Sequence, residues 1–399
     1  MSNLQFLLFM NWLKKFLLRF VGLIVIIVLL LYIFKVDYLI KAIRITYLNG
    51  HKTAFLEDYK YFDNTVIEKS TAAQPWKISK NCNQVKATET LEKLHKEIGT
   101  VAFVIIKKDS IWHESYYDNY KKDSKSNSFS MAKSIVSASL GKAILEGKIK
   151  SLKQKVSDFF PEFKEGKSAN MTVGDLSSMA SGLKWYESYV DPFSITTQAY
   201  FDANLHDLIL GLKGIDKPGK SYKYLSGNTQ LLAMCIEKAT GQKLADYVSE
   251  SFWKPMGAER EALWQTDAPN GLVKAYCCIA SNARDFARFG KLYLQHGKWN
   301  GKQIIDSAFV AQSVTQRFKE SPQYGYGWWL SSFNNKKVFY MRGHLGQYVI
   351  VIPENELIIV RLGHHDIKST KGLPQTDDFT IYLEETYKML KQEKTTSKK

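Results

Sequence analysis

An unbroken apolar run near the amino terminus constrains this chain more than any other feature. Residues 20–34 are fifteen uncharged and almost wholly apolar residues. Extending the run back to Phe16, with the Arg19 side chain reaching toward lipid headgroups, gives roughly 28 Å of helix, close to the ~30 Å hydrocarbon core of a bilayer. The sequence therefore predicts a transmembrane helix over residues 16–34.

The charges around this run predict its orientation. Lys14, Lys15 and Arg19 precede it, which favours a cytoplasmic segment over residues 1–15 and an extracytoplasmic remainder. A cleaved signal peptide and a buried helix of a soluble protein are alternatives. Because residues 35–38 supply no small-x-small cleavage site, we expect an uncleaved single-pass anchor in a bacterial inner membrane, with the rest of the chain periplasmic or outside the cell.

The net charge of +16 is concentrated at the two ends of the chain. Residues 1–44 carry a net charge of +5 and residues 388–399 carry +4, which leaves +7 over more than 340 residues without a dense basic cluster. Basic ends beside a bilayer fit anionic lipid better than a specific nucleic-acid site, so we expect no nucleic-acid partner.

Cysteine and histidine patterns indicate neither a disulfide scaffold nor a metal centre. Four cysteines are too few to staple a chain of 399 residues, and we expect buried thiols, although an exported domain could oxidise one pair. The closest group of metal-ligand residue types is His364-His365-Asp366, in a loop-like position. We expect no metal and no organic cofactor, and the sequence leaves the oligomeric state open.

The remainder of the chain predicts one α+β domain. Residues 35–85 lack clear periodicity and predict a membrane-proximal stalk. Strand-like runs near 100–117 and 325–362 flank a mostly helical middle from about 150 to 320. We therefore expect a domain over residues 86–390, in which a mostly antiparallel sheet is flanked by helices and joined by a helical lobe, followed by a basic tail over 391–399.

A serine and a lysine three residues apart carry the strongest chemical signal. Ser130 and Lys133 would share one face at the start of a helix, where the lysine can act as base for the hydroxyl. The same spacing recurs at Ser139, Ser181 and Ser251, so spacing alone does not identify a nucleophile.

Two later segments could complete such a site. The first is Pro218-Gly219 followed by Tyr224-Leu225-Ser226, directly before a predicted helix, and the second is Gly343-His344-Leu345-Gly346-Gln347, entering a predicted strand. Acyl transfer needs a group that protonates the leaving group and donors for the oxyanion, which these segments could provide.

The order of these segments resembles the serine β-lactamase and penicillin-binding-protein family, in its class C-like branch. Residues 171–183, ending in Ser-Gly-Leu, and residues 280–290 and 324–328 add further matching motifs. Within this branch the chain looks most similar to 6-aminohexanoate-dimer hydrolases and related esterases. The resemblance covers about residues 85–390 and implies a β-lactamase-like fold.

The resemblance also implies a role for individual residues. Ser130 matches the nucleophile, Lys133 the adjacent base and Tyr224 the tyrosine that shares proton transfer with the lysine; which of the two is the base stays open. The backbone N–H groups of Ser130 and Gln347 match the oxyanion donors.

Two departures from the family pattern bear on the substrate. Ser226 stands where asparagine is usual, and His344-Leu345-Gly346 replaces Lys-Thr-Gly, which removes the family's usual grip on a β-lactam carboxylate. The substrate-binding candidates are Ser226, His344, Gly346, Trp185 and Tyr186. For His344 a structural strand-edge role is the alternative, and for Trp185 and Tyr186 simple packing is.

These expectations combine into a membrane-anchored serine hydrolase that cleaves an ester or amide of a small molecule or peptide through an acyl-enzyme. One alternative is a D-Ala-D-Ala carboxypeptidase or a β-lactamase, against which the His-Leu-Gly segment argues. An alternative of another class is a non-catalytic penicillin-binding-type sensor, against which the complete Ser/Lys/Tyr set argues.

Overall fold

The computed structural model describes residues 3–370, 372–373 and 375–396. The chain forms two compact units, the first built from residues up to Ala54 together with Ser188–Ala203, and the second from Phe55–Glu187 and from Asn204 onward. The helices are α1 Asn3–Ile33, α2 Tyr38–Ile45, α3 Glu89–Glu97, α4 Ala132–Leu145, α5 Val173–Ser177, α6 Ile195–Phe201, α7 Leu205–Leu210, α8 Ser226–Thr240, α9 Leu244–Val248, α10 Ala283–Leu294, α11 Ser307–Ser313 and α12 Asp377–Thr396. The strands are β1 Asn64–Ile67, β2 Lys77–Ile78, β3 Thr100–Lys107, β4 Ser110–Tyr116, β5 Ser126–Asn127, β6 Ala262–Gln265, β7 Ile279–Ser281, β8 Lys298–Trp299, β9 Lys302–Gln303, β10 Trp329–Phe333, β11 Lys336–Gly343, β12 Gln347–Ile352 and β13 Leu357–Gly363.

A seven-stranded sheet is the centre of the second unit. Its strand order is β10-β11-β12-β13-β3-β4-β2, and every neighbouring pair is antiparallel except β2 with β4. Alternate residues of β12 face opposite sides. Tyr348 and Ile350 pack with Tyr382 of α12 in the core, whereas Val349 and Val351 face α10. The predicted sheet, built from both ends of the domain and covered by helices, is confirmed.

A smaller sheet, of order β1-β6-β7-β5, lies in the same unit. Its edge strand β1 comes from the segment expected to be a stalk, and residues 64–67 pair with β6. The second unit therefore includes residues from Phe55 onward, among them part of the segment predicted to be a stalk. The sequence concealed this because a four-residue edge strand carries too little periodicity to be recognised.

Helices dominate the middle of the second unit, as expected. Helix α8 packs against α4, α5 and α7. Strands β6–β9 also lie within residues 150–320, where helix and loop were expected, and each has only two to four residues. Such short runs do not show a strand period.

The carboxyl-terminal helix extends further than predicted. Helix α12 continues to Thr396, so most of the expected basic tail is helical, and residues 397–399 lie outside the described residues. Glu393 secures this extension, because its carboxylate accepts bonds from Lys107 Nζ at 2.6 Å and from Trp112 Nε1 at 2.8 Å.

The first unit holds α1, α2 and α6. Among the described residues, one helix is long and apolar enough to cross a membrane; it covers Leu4–Ile33, and none of its span is buried. The helix begins earlier than the predicted span of 16–34, because residues 4–12 are also largely apolar. Helix α2 packs on α6.

The cysteines divide into three environments, all within the second unit. Cys235 is a buried free thiol, as expected, whereas Cys82 is a free thiol that is only half-buried. Cys277 and Cys278 form a disulfide between neighbours in sequence. The expectation of a thiol is wrong for this pair, and the alternative of one oxidised pair applies.

Candidate active site

A strained turn presents Ser130 at the start of α4. The chain leaves β5, passes through the 3-10 turn Phe129–Met131 and enters α4. Phe129 has a φ of 45°, a left-handed conformation that costs a non-glycine residue about 1 kcal/mol. Asn127 holds this turn, since its Oδ1 accepts from the Phe129 amide at 2.9 Å while its Nδ2 donates to Asp58 at 2.9 Å.

Lys133 lies against the Ser130 hydroxyl in a buried position. The Lys133 side chain is 3% exposed, and its Nζ is 2.9 Å from Ser130 Oγ and 2.8 Å from the Tyr276 carbonyl oxygen. Burial disfavours the ammonium form and lowers the pKa of Lys133 to about 8, although the Glu187 carboxylate opposes this shift. An amine with this pKa is available as a base near neutral pH.

The carbonyl that holds Lys133 belongs to a pinned loop. Gln230 of α8 donates to the Val273 carbonyl and accepts from the Ala275 amide, at 2.9 and 2.8 Å. Trp264 Nε1 donates to the Cys277 carbonyl at 2.9 Å. These bonds fix the Tyr276 carbonyl, so the lysine amine is directed toward Ser130.

Tyr224 forms the second proton-transfer candidate beside Ser130. Its hydroxyl interacts with the Ser130 side chain, and Lys133 Nζ lies 5.0 Å from the centre of its ring. The rings of Tyr324 and Trp329 pack against it, at 6.2 and 5.3 Å. Burial raises the pKa of Tyr224 well above its ordinary value, and the Ser130 hydrogen bond opposes this only partly. The phenol is therefore protonated at neutral pH.

Glu187 is a site residue that the sequence did not reveal. Its carboxylate accepts from the Ser226 amide and from the Ser226 hydroxyl, both at 2.7 Å, at the first residue of α8. A negative charge is favourable at a helix amino terminus. The same charge opposes the lowered pKa of Lys133 and contributes to the raised pKa of Tyr224. Glu187 follows two aromatic residues and belongs to no sequence motif, so it could not be identified from the sequence.

The Gly343–Gln347 segment approaches the nucleophile turn through a glycine. A Cβ on Gly343 would lie 2.2 Å from the Ser128 carbonyl oxygen, so only glycine permits this contact. The next residue, His344, places its ring 5.6 Å from that of Phe129 in an edge-on arrangement. Burial lowers the pKa of His344. This contact brings the turn before β12 to the Ser130 turn.

Comparison with known protein families identifies the family of this chain. The chain matches the Beta-lactamase family over residues 87–372. It is a member of the beta-lactamase family. The match spans well over half of the chain and includes Ser130, Lys133, Tyr224 and Gln347.

Individual relatives show which kinds of hydrolase the chain resembles. The 6-aminohexanoate-dimer hydrolase of Paenarthrobacter ureafaciens is 25% identical over 296 residues, covering 68% of this chain and 74% of the relative. A Bacillus anthracis protein provisionally described as a 6-aminohexanoate-dimer hydrolase has a similar structure, with a TM-score of 0.72, 22% identity and coverage of 85% of this chain and 94% of that one. A family VIII carboxylesterase has a TM-score of 0.61 at 15% identity, covering 79% of this chain and 99% of that one. This beta-lactamase-family chain is a serine hydrolase, a class that works through an acyl-enzyme.

Two of the substrate-binding candidates, Ser226 and Gly346, make contacts that hold the local structure. Ser226 is buried and donates its hydroxyl to Glu187. Gly346 has a φ of 74°, and a Cβ there would lie 2.7 Å from an Arg361 guanidinium nitrogen. That guanidinium donates to the carbonyls of Leu345 and Gly346 at 2.8 and 3.0 Å and so holds the turn.

The aromatic candidates differ in exposure. Trp185 is 4% exposed and packs on Gly227 of α8, where a Cβ would lie 2.5 Å from the indole ring. Tyr186 is 62% exposed. The Gln347 side chain is fully buried and donates to the Gly363 carbonyl at 2.7 Å, which fixes the start of β12.

The other serines with the same spacing to a lysine have structural bonds. Ser139 donates to the Ile135 carbonyl at 3.0 Å within α4, and Ser181 donates to Asn228 at 2.5 Å. Ser251 is buried in the π-helical segment Ser249–Trp253. Among the described residues, Ser130 differs from these three serines because Nζ of its lysine, Lys133, lies 2.9 Å from its Oγ.

Proposed function

We propose that this chain is a membrane-anchored serine hydrolase that cleaves an ester or amide through an acyl-enzyme on Ser130. The observation that carries the proposal is the position of Lys133 Nζ, 2.9 Å from Ser130 Oγ and held from its other side by the Tyr276 carbonyl. A buried amine with a pKa of about 8 activates a neighbouring hydroxyl, whereas a solvated lysine remains an ammonium.

Lys133 is the base in this proposal, and Tyr224 is the acid. The pKa of Lys133 is lowered to about 8, so a minority of the amine is already neutral near pH 7, whereas the raised pKa of Tyr224 keeps its phenol protonated. Lys133 takes the Ser130 proton as Oγ bonds to the carbonyl carbon. Tyr224 gives its proton to the leaving group as the bond between that group and the carbonyl carbon breaks, and the Lys133 ammonium returns a proton to the phenolate. Water then hydrolyses the Ser130 ester, which releases the acid and restores the Ser130 hydroxyl.

The negative charge of the tetrahedral intermediate requires donors near Ser130. We assign these to the backbone N–H groups of Ser130 and Gln347. Gln347 begins β12 beside the turn that Gly343 packs against Ser128, which supports the assignment. A donor of this kind contributes about 3–4 kcal/mol to transition-state stabilisation in acyl transfer.

An ester or amide of a small molecule or peptide is the proposed substrate class. The Paenarthrobacter ureafaciens relative is named for the hydrolysis of a 6-aminohexanoate dimer, in which an amide joins two amino-acid units. His344-Leu345 occupies the positions of the Lys-Thr pair that binds a β-lactam carboxylate in the wider family. We therefore expect negligible turnover of benzylpenicillin.

The proposed location is a bacterial inner membrane, with the hydrolase on the extracytoplasmic side. The unburied apolar helix α1 supports the anchor. Lys14, Lys15 and Arg19 precede the apolar run over residues 20–34, which favours a cytoplasmic amino end.

The deciding experiment compares the full chain in detergent with its Ser130→Ala variant. Substrates are short-chain p-nitrophenyl esters, the 6-aminohexanoate dimer and benzylpenicillin, and intact mass is recorded after fluorophosphonate treatment. We expect ester or amide turnover and one adduct, both lost in the variant. Ser139→Ala is the matched control, because Ser139 has the same spacing to a lysine and donates only within α4.

Three results would contradict the proposal. Turnover that survives in Ser130→Ala would exclude Ser130 as nucleophile. A lasting acyl adduct of a substrate on Ser130, without turnover, would favour the non-catalytic sensor, and rapid hydrolysis of benzylpenicillin would favour the β-lactamase alternative.

A further inference from the structure

Helix α2 carries two apolar stripes, and only one of them is covered within its unit. Tyr38, Ala42 and Ile45 are buried where α2 packs on α6. Ile40 and Ile43 are 39% and 50% exposed on another side of the helix. A helix that is apolar on two sides requires a second apolar environment.

The uncovered stripe continues beyond the end of α2. Tyr47 and Leu48, in the next turn of the chain, are 63% and 76% exposed. With Ile40 and Ile43 they follow the spacing i, i+3, i+7 and i+8, which is the spacing of one helical face. These four residues form a continuous exposed apolar stripe.

A loop of the same unit adds two more apolar side chains beside α2. Val190 is 83% exposed and Phe193 is 68% exposed. The loop is attached to the first residue of α2, because the Tyr38 hydroxyl donates to the Pro192 carbonyl at 3.0 Å. The exposed side chains of the loop therefore lie near the amino-terminal end of α2.

Internal hydrogen bonds give this loop a defined shape. The Ser194 hydroxyl donates to the Ser188 carbonyl at 2.8 Å and the Thr197 hydroxyl donates to the Asp191 carbonyl at 2.8 Å. The Phe193 amide donates to the Asp191 carboxylate at 2.9 Å. The exposure of Val190 and Phe193 is thus a feature of a built loop.

A hydrogen-bonded turn joins α2 to the apolar helix α1. The Val36 amide donates to the Leu31 carbonyl at 2.9 Å and the Lys35 amide donates to the Tyr32 carbonyl at 3.1 Å, with Lys35 at a φ of 56°. This is the Schellman pattern that ends helices. Since Tyr38 follows Ile33 by five residues, at most roughly 18 Å of chain separates α2 from the end of the apolar helix.

The charges of this unit fit a membrane surface. Between residues 34 and 54 the chain carries Lys35, Lys41, Arg44 and Lys52 against Asp37, although the loop adds Asp191. Aromatic side chains and long basic side chains are typical of the region between hydrocarbon and water.

We propose that the docking surface formed by Ile40, Ile43, Tyr47, Leu48, Val190 and Phe193 inserts into the bilayer interface on the carboxyl-terminal side of α1. This inference rests on the membrane anchor of the proposed function. The first unit would then both span the membrane and lie on it, in the manner of an interfacial amphipathic helix. The partner is the lipid surface itself.

Nitroxide accessibility in vesicles tests this proposal. The full chain with Cys82→Ser is reconstituted in vesicles of phosphatidylcholine and phosphatidylglycerol. Flotation of the vesicles confirms that the protein is incorporated. A nitroxide is placed at Val190→Cys, and collision with oxygen is compared with collision with a water-soluble nickel chelate. Leu145→Cys, on a residue 41% exposed in the second unit, is the matched control.

We expect the oxygen-to-nickel ratio at position 190 to exceed that at position 145 several-fold. Adding Phe193→Glu should reduce the ratio at position 190, because a carboxylate resists insertion. Equal ratios at positions 190 and 145 in floated vesicles would overturn the docking surface while leaving the anchor intact. Failure to float would overturn the anchor, and with it this inference.

Discussion

Burial of Lys133 determines how the proposed site depends on pH. The amine accepts the Ser130 proton only when it is neutral, and its pKa of about 8 places the neutral form in the minority at pH 7. We expect kcat/KM to rise about ten-fold per pH unit below pH 8 and to level off above it. Initial rates on an ester between pH 6 and 9.5, corrected with the Ser130→Ala variant, measure this.

Lys133→Arg is the control for that profile. Arginine keeps the positive charge but does not deprotonate in this range, so the variant should lose about 10²- to 10⁴-fold in kcat/KM. An unchanged rate with the same rise toward pH 8 would show that another group is the base.

A second prediction at the residue scale concerns Glu187. Its charge opposes the lowering of the Lys133 pKa, so Glu187→Gln should lower that pKa further and move the acid limb of the profile to lower pH. The plateau rate should fall, because the ammonium formed during acylation loses a stabilising charge. The pH profile of kcat/KM measures both changes.

Glu187→Ala separates charge from position. Glutamine keeps one acceptor for Ser226, whereas alanine leaves two buried donors without the carboxylate, at a cost of about 1–3 kcal/mol in stability. A lower melting temperature is therefore expected for alanine and little change for glutamine. An acid limb that stays in place in both variants would exclude the electrostatic role.

At the scale of elements, two turns meet because one residue lacks a side chain. Gly343 ends β11 against the Ser128 carbonyl, and Arg361 holds the following turn by its carbonyls. Contact between the two turns is what brings the amide of Gln347 toward Ser130 in our proposal.

Gly343→Ala tests this contact. The added Cβ would lie 2.2 Å from the Ser128 oxygen, so one turn must move away from the other. We expect kcat/KM to fall about 10²-fold, as for a misplacement of about 1 Å, with about 1–3 kcal/mol of destabilisation. Ester kinetics and thermal unfolding measure the two effects.

Gly211→Ala serves as the control. A Cβ at Gly211 would lie 3.1 Å from the nearest other atom, and Gly211 makes none of the site contacts described above. Full activity in Gly343→Ala would mean that the Gln347 turn does not position an oxyanion donor.

At the scale of the whole molecule, α1 predicts where the protein resides. A 30-residue helix that is apolar enough to cross a bilayer, with none of its span buried, should keep the full chain in the membrane fraction after an alkaline carbonate wash. Fractionation with antibody detection and intact mass measures this. A soluble protein shortened at its amino end would indicate signal cleavage instead.

The sequence by itself determined what depends on near neighbours. Ser130 and Lys133 meet because residues three apart at a helix start share a face, and the strands of the large sheet carry long apolar runs. The long apolar helix α1 follows from composition and length. The motif order then indicated the family and, through it, Tyr224.

The tertiary structure decided the contacts that depend on distant partners. The Tyr276 carbonyl lies 143 residues from Lys133, and Glu187 lies 39 residues from Ser226. Short strands such as β1 and the close approach of Gly343 to Ser128 leave no periodic signal in the sequence. The desolvation of Lys133 likewise depends on all the residues packed around it, so its pKa is lowered only once the chain has folded.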